Sequence, residues 1–551
     1  MFTKSVLPLA LLALAVDALA QQVPTAGSTL RQIPPVPAPA KNAPKVDLKP
    51  LIPAASSADD AATMVVKQLR VSGAQAYPEA ELLAVTRFVP NSVLTLGALN
   101  KMASRIADHY HRNGYFVAQA YLPAQEIKDG VVTIAVLDGR YGRIVLNNST
   151  TMSDNLARQL LGGINSGDMV AAAPLESRLM LLSDMPGVKV RSTLAPGASV
   201  GASDLIVDLT PGRRVSGSVD ADNAGNRYTG AWRAGATVNL NQPAGRGDVA
   251  SLRVFSSGKG LNYARASYQM QFGKVTAGAA YSHLRYRLGR EFDSLDAHGT
   301  AQVASVYGSY PLLRSRKSNL NVSLAYDDKT FQDRVGATGG LTDKKAHVAA
   351  ASLYGDARDQ LGGGGLSAFS VTLSSGQINI QTPLMRQIDA ESARFNGHFS
   401  KLGVHAMRLQ RVTDTLSVSA AIDGQLASKN LDVSEKMELG GMYGVRAYPE
   451  GEAYADQGYV LALEARLDVP APRGQLQLIA FADYGAVSID RRPWNAGANR
   501  RTLAAAGVGV NWSSGDDFMV KAYYAHKLGN EAATSAPDAP GRFWIQAVKY
   551  F

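Results

Sequence analysis

Across residues 212–551 the sequence repeats one pattern, stretches of about ten residues in which apolar and polar side chains alternate. In one stretch Trp232, Ala234, Ala236, Val238 and Leu240 share a face, and Arg233, Gly235, Thr237 and Asn239 share the other. Ala264, Ala266, Tyr268, Met270 and Phe272 oppose Arg265, Ser267, Gln269 and Gln271 in the same way. Tyr459, Leu461, Leu463, Ala465 and Leu467 oppose Glu464, Arg466 and Asp468. A period of two belongs to strands, and about ten residues is what a tilted strand needs to cross a bilayer. Soluble sandwich strands are usually shorter, about five or six residues. Beyond the N-terminus no run of about 18 apolar residues offers a spanning helix. A chain of this kind enters a membrane only as a closed barrel, where every backbone polar group finds a partner. At about 21 residues per strand and connection, the region holds about sixteen antiparallel strands.

The N-terminus sets the compartment. Lys4, an apolar stretch over residues 6–16 broken only by Pro8, and Ala18-Leu19-Ala20 read as a secretory signal peptide over residues 1–20. Residues 21–62 are rich in Pro, Ala and Ser, with Pro34, Pro35, Pro37, Pro39 and Pro44 close together. Proline at that density excludes helix and strand interiors, so a semi-extended linker is expected, with a short plug helix over 24–33. The chain has no cysteine, so no disulfide supports the exported fold. The formal charge of +10 comes from Lys and Arg scattered among acids, which fits a wet, charged lumen better than a nucleic-acid surface.

Between linker and barrel a small mixed unit occurs twice. Residues 64–71 read as a strand and 79–85 as a short helix. Thr95 caps a longer helix with Leu99, Met102, Ile106 and Tyr110 on one face and Gly114 at its end. Strands are expected over 115–122 and 131–137, with Asp129-Gly130 in the turn between them. The β-α-α-β-β order then repeats: a strand at 143–146, a helix from Ser153 to Leu161, a helix over 175–183, and a hairpin of 188–193 with 204–209. Such a tandem repeat makes an arm of beads, not one large core.

Three motif groups carry a resemblance. Tyr110-His-Arg-Asn-Gly-Tyr115, Ala120-Tyr-Leu-Pro-Ala-Gln125 and Asp129-Gly-Val-Val132 lie in the first unit, and Met185-Pro-Gly-Val-Lys-Val190 in the second. Asp222-Asn-Ala-Gly-Asn-Arg-Tyr-Thr-Gly230 and Asn241-Gln-Pro-Ala-Gly-Arg-Gly-Asp248 open the barrel. Ser434-Glu-Lys436, Leu439-Gly-Gly441 and Val445-Arg-Ala-Tyr448 precede Phe481-Ala-Asp-Tyr-Gly485. With these the sequence resembles the two-partner secretion outer-membrane transporters (TpsB), the ShlB/FhaC/HecB haemolysin secretion/activation family, over essentially the whole mature chain. The fold so implied is mainly β: a transmembrane antiparallel β-barrel of about 16 strands over 212–551, behind two N-terminal periplasmic α+β POTRA domains at 63–140 and 141–211.

The resemblance also implies site residues. The family's long sixth extracellular loop, here about 437–457, folds back into the pore with a Val-Arg-Gly-aromatic tip. Val445, Arg446, Ala447 and Tyr448 hold those places, with Ala447 standing where the family has glycine. Phe481, Asp483 and Gly485 match the Phe-x-Asp-x-Gly motif of a neighbouring strand, and Arg446 is implied to pair with Asp483. The residues agree independently. Leu476, Leu478, Ala480 and Ala482 form the apolar face of that strand, so Asp483 points inward, where an Arg can meet it bidentately. Glu464 and Arg466 are further lumen charges. Tyr115, Tyr121, Pro123 and Gln125 are candidate substrate-binding residues of the first POTRA domain.

The expected function is a pore that recognises an unfolded exoprotein in the periplasm and secretes it across the bacterial outer membrane. The expected partners are one large secreted protein of adhesin or cytolysin type and the outer-membrane lipid, with no nucleic acid or nucleotide and a monomeric transporter. No cofactor or metal site is expected: the eight histidines include no HExxH, and His109 and His111, two apart on a helix, do not share a face. Gly362 to Gly365 lacks the following GKS/T of a phosphate cradle, and lumen charges are ordinary in a wet barrel, so no enzyme activity is expected. Two rivals stand beside this reading. One is a POTRA-barrel assembly factor, which commonly carries more POTRA units; the other is a passive porin, which needs no periplasmic arm.

Overall fold

Alternation of side chains along residues 212–551 closes into a cylinder. The computed structural model describes residues 23–37, 45–48 and 63–551; the expected signal peptide and much of the Pro-rich stretch lie outside the described residues. Sixteen antiparallel strands run from Val215–Asp222 to Gly541–Tyr550, each beside its sequence neighbour, and the first and last close the barrel by pairing Ser218 with Tyr550 and Asp222 with Gln546. Outward positions carry apolar side chains such as Val306, Leu324, Leu373, Leu463 and Val508, all exposed on the outer wall. Among the described residues no helix is long and apolar enough to cross a membrane.

The strands are not uniform. They grow from 8 residues in Val215–Asp222 to 20 in Gly340–Asp359, about 27 against 68 Å at 3.4 Å per residue. The expectation of about ten residues per strand describes the part in lipid. The longer strands exceed that length, and their alternation runs on unbroken, so it leaves no boundary in the sequence.

The first α+β unit departs from a plain β-α-α-β-β order. The expected single strand over 64–71 is two, Thr63–Val66 and Gln68–Ser72, and a short strand, Ser92–Thr95, lies between the helices Glu79–Thr86 and Leu96–Arg112. Thr63–Val66 pairs with Ser92–Thr95, while Gln68–Ser72 joins Val131–Leu137. The strand expected over 115–122 shortens to Gln119–Tyr121, because Ala118 N–H donates to Tyr115 O at 3.0 Å and turns the chain first. Thr95 does cap its helix, accepting from Ala98 N–H at 3.1 Å. Asp129 and Gly130 both take positive φ in the turn (54° and 74°).

The second unit holds Arg140–Asn148, helices Asp154–Leu161 and Ala172–Ser183, and the hairpin of Val188–Pro196 with Ala202–Pro211. Its sheet gains an outer strand from the linker: Lys45–Leu48 pairs in parallel with Val188–Pro196. This corrects the reading of the linker as strand-free. Proline density argued against strand over the whole stretch, but residues 45–48 themselves contain no proline. The unit docks on the barrel rim, where Arg314 meets Asp184 bidentately (2.7 and 2.9 Å) and Ser153 N–H donates to Gly245 O (2.8 Å).

Candidate functional site

The longest described connection between neighbouring barrel strands, joining Leu416–Ala427 to Gln457–Val469, does not stay outside. Residues 428–456 turn into the lumen and brace themselves with a two-residue ladder, Met437–Glu438 against Tyr454–Ala455. At the tip Val445 N–H donates to Leu439 O (2.8 Å) and Tyr448 N–H to Val445 O (3.0 Å). Val445, Ala447 and Tyr448 are completely buried. Ala447 is not among the residues with positive φ, so the tip does not need glycine's conformational freedom there and alanine fits.

Arg446 is the centre of the site. Its Nε and Nη2 donate to the two oxygens of Asp483 at 2.8 and 2.7 Å, and its Nη1 donates to Glu464 at 2.8 Å. Its backbone N–H also reaches Asp483, at 3.1 Å. The guanidinium carbon lies 3.5 Å from the centroid of the Phe481 ring, a stacking that planar arginine allows. Arg466 balances the second oxygen of Glu464 at 2.7 Å. A Cβ on Gly485 would lie 2.3 Å from Leu439 Cδ1 and 3.1 Å from Val445 Cγ2. The spacing Phe481-x-Asp483-x-Gly485 thereby places on one lumen-facing side a surface to lie on, a counter-charge, and room for the tip. The structure thus brings Val445, Arg446, Phe481, Asp483, Gly485, Glu464 and Arg466 together.

A helix shares the lumen. Ala26–Arg31 opens with Thr25 and Ser28 capping each other's backbone N–H (3.4 and 2.8 Å), within the 24–33 stretch expected to be helical. Ala26 N–H donates to Asp333 at 2.7 Å, Arg233 donates to Gln32 O at 2.9 Å, and Gln32 Nε2 to Tyr454 OH at 2.5 Å. Gly27 lets it lie against the loop: a Cβ there would sit 3.1 Å from Ser434 Cβ. The loop at that point is clamped by barrel lysines, Lys344 on Asp432 (2.5 Å) and Lys329 and Lys401 on Glu435 (2.7 and 2.9 Å).

Sequence reasoning missed Asp432 and Glu435, along with Trp544, whose Nε1 donates to Arg446 O (2.6 Å), and Glu452. Glu452 pairs with Arg501 and accepts from Thr534 N–H (2.8 Å) and Ser535 N–H (3.0 Å), tying the loop base to the last extracellular connection. The density of acids in 431–456 was the available signal, since buried carboxylates require cations or donors.

The four candidates in the first unit separate. Tyr115 packs edge-on against Tyr77 and Tyr110 (6.1 and 5.9 Å between centroids) as part of the core. Burial, reinforced by its acceptor Asp138 at 2.7 Å, pushes the Tyr110 phenol well above its ordinary pKa. Tyr121 is exposed on the edge strand, with Pro123 half-buried beside it. Gln125 imitates a strand residue: its amide donates to Thr133 O and accepts from Thr133 N–H, both at 2.8 Å, closing part of that sheet edge.

Residues 201–512 match the family described as haemolysin secretion/activation protein ShlB/FhaC/HecB, and residues 64–139 match its POTRA domain of ShlB type. The chain belongs to this haemolysin secretion/activation family. The heme/hemopexin transporter protein HuxB of Haemophilus influenzae is 27% identical over 479 residues, 86% of this chain and 84% of the relative. The outer membrane transporter CdiB of Dickeya dadantii is 24% identical over 408 residues, 71% and 70% of the two chains. Among solved structures, CdiB from Escherichia coli aligns with a TM-score of 0.68 at 19% identity, over 91% of this chain and 93% of that one. BamA from Haemophilus ducreyi lacking POTRA domains 1–3 aligns at 0.53 and 13% identity, over 89% and 100%; at such identities the likeness is one of fold. As a family member the protein is an outer-membrane two-partner secretion pore, with its POTRA region in the periplasm and a large secreted exoprotein as partner.

Proposed function

We propose that this transporter captures one unfolded exoprotein of adhesin or cytolysin type on two POTRA domains, at 63–140 and 141–211. It then threads the exoprotein as an extended chain through the barrel at 212–551. Between passages the lumen is shut by the tip around Arg446 and by the helix Ala26–Arg31. The observation that carries this reading is how the closure is fastened. Neither the tip nor the helix pairs as a strand with the barrel wall; both are held by side-chain ion pairs, hydrogen bonds and packing, so either can leave without breaking a barrel ladder. Arg446 is the anchor, Asp483 and Glu464 its seat, Phe481 its platform, Gly485 its clearance, and Arg466 the cation that keeps Glu464 compensated. On the arm, Tyr121 and Pro123 line the edge that first meets the exoprotein, beside the stretch that Gln125 closes through Thr133. Movement is biased by folding of the exported chain outside the cell.

Two variants test the parts separately. Deleting residues 23–33 should raise single-channel conductance in a planar bilayer, and an unchanged conductance removes the helix from the closure. Deleting residues 63–137 should abolish export while the barrel still inserts; export by that variant contradicts capture by the arm. The likeness to HuxB favours a second cargo class, a secreted protein that handles heme or hemopexin. Loss of growth on heme–hemopexin in the deletion strain would select it over an adhesin or cytolysin.

A further inference from the structure

At the end of the barrel away from the arm, four connections meet around a cavity of about 890 Å³. Residues 223–232, 257–260 and 288–296 join the first six strands in pairs, and residues 528–540 lead into the last strand. Pro449 and Glu450 of the pore loop complete the wall. Five cations line the space: Arg227, Lys259, Arg287, Arg290 and Arg542. Two of them have carboxylate partners, Arg227 in Glu291 (2.6 Å) and Arg287 in Asp296 (3.2 Å). Lys259, Arg290 and Arg542 make no ion pair among the described residues.

Arg542 shows what is missing. Its Nη2 donates to Pro537 O at 3.3 Å, but its Nε is buried and finds no acceptor in the protein. A buried donor left open is costly, and an acceptor from outside removes that cost. Arg290, on the same rim, holds a left-handed backbone (φ 61°) that arginine seldom adopts. Of the two acids in the lining, Glu450 turns its carboxylate against Gly441, inside the loop, which leaves Asp293 as the counter-charge to three free cations. A carboxylate would cancel half of that excess. A phosphate ester carries about −1.5 to −2 at neutral pH and has three acceptor oxygens, one for each free cation. The space also exceeds a lone phosphate and falls in the range of small organic ligands, about 300–1,000 Å³. Thr229, Ser257 and the backbone of Gly260 and Gly289 line the rest, donors and acceptors that suit sugar hydroxyls.

We propose that this cavity binds a phosphorylated sugar on the outer face of the membrane, its phosphate held by Lys259, Arg290 and Arg542. The headgroup of an outer-leaflet glycolipid and a soluble sugar phosphate share that chemistry. Because Pro449 and Glu450 form part of the wall, the site is complete only while the loop that carries Arg446 is docked. A ligand that binds one of two states better shifts the equilibrium toward it, so occupancy of the cavity favours the closed pore. The binding site stands independently of the secretion reading; its coupling to the loop rests on the closure proposed above.

The test titrates the full-length transporter in detergent micelles with lipopolysaccharide, the same lipopolysaccharide stripped of phosphate, glucose 6-phosphate, inorganic phosphate and a glutamate-rich peptide. Lipopolysaccharide or glucose 6-phosphate should bind saturably, and the tighter of the two identifies the source. Arg542→Gln should weaken that binding about tenfold or more, the loss of one charge-assisted contact. Lys259→Gln, on a connection outside the barrel ladder, gives the same reading if Arg542→Gln fails to insert. Binding that survives both substitutions, or equal binding of the phosphate-free form, overturns the site. So does inorganic phosphate binding as tightly as either sugar, or the peptide binding in their place. Coupling is read on Ala447→Cys, a unique cysteine at the buried tip of a chain that has none. With ligand at about ten times its Kd, maleimide labelling should slow about tenfold, and unchanged labelling of a protein shown to bind overturns the coupling. If Arg446→Ala still speeds labelling in that case, the closure reading survives without the coupling.

Discussion

Arg446→Ala removes the three hydrogen bonds that the Arg446 side chain makes at the loop tip, two to Asp483 and one to Glu464. The two carboxylates suffer differently. Glu464 keeps Arg466 at 2.7 Å, whereas Asp483, whose side chain is 0% exposed, keeps only the backbone N–H of residue 446. Removing one partner of a buried pair costs about 3–5 kcal/mol, because the other charge is stranded. Losing the cation over Phe481 adds about 1–2 kcal/mol. The loop can answer by undocking, which gives Asp483 back to lumen water, so the lower part of the range applies to docking. About 3 kcal/mol is about a hundredfold in the ratio of docked to undocked tip. The probe is Ala447→Cys, unique in a chain without cysteine and fully buried while the tip is docked. Its labelling by a small water-soluble maleimide should accelerate about a hundredfold in the Arg446→Ala background, with frequent channel opening and reduced export. The barrel should still migrate as a folded band before heating. Adding Asp483→Ala should recover part of the loss, with a coupling of about 1–3 kcal/mol between the two sites. Unchanged labelling by Arg446→Ala, or strictly additive effects of the two substitutions, would refute the anchor.

Three further outcomes follow from the geometry. Gly485→Val places its side chain where Leu439 Cδ1 already stands, 2.3 Å from the first added carbon; tip labelling should rise as in Arg446→Ala while the barrel inserts normally, and a protected tip would contradict it. Gly27→Leu pushes the lumen helix off Ser434, so conductance should increase toward that of the 23–33 deletion; wild-type conductance would show that the helix seat is elsewhere. Arg314→Ala cuts the bidentate tie to Asp184. Hydrogen exchange should increase in the rim contacts of the second unit while global unfolding barely changes, since a partly exposed pair contributes about 1 kcal/mol or less.

Much of this was legible because lipid and lumen impose a strict alternation on every residue between them. The outward run Leu476, Leu478, Ala480, Ala482 fixed the inward direction of Asp483 before any coordinates, and the number of strands followed from length. Legibility stopped where the constraint stops. The 20-residue strand Gly340–Asp359 reads no differently in water than in lipid. Lys45–Leu48 is a strand only because Val188–Pro196 offers it an edge, which no local propensity encodes. Gln125 looked like a contact residue from its motif, yet its amide is spent on Thr133. Trp544 escaped the sequence because its bond to Arg446 O spans 98 residues. The family motif located Arg446 and Asp483; the reason for Gly485, room for Leu439, needed the packed structure.

The central claim is that this pore secretes one dedicated protein. The measurement that tests it most directly is a proteome comparison of culture supernatant and outer membrane between wild type, a deletion of this gene, and the deletion complemented in trans. The account expects one large protein to vanish from the supernatant and return on complementation, with other outer-membrane barrels at normal levels. General depletion of outer-membrane barrels would point to an assembly factor, and an unchanged supernatant with altered small-solute uptake to a porin; either result contradicts the account.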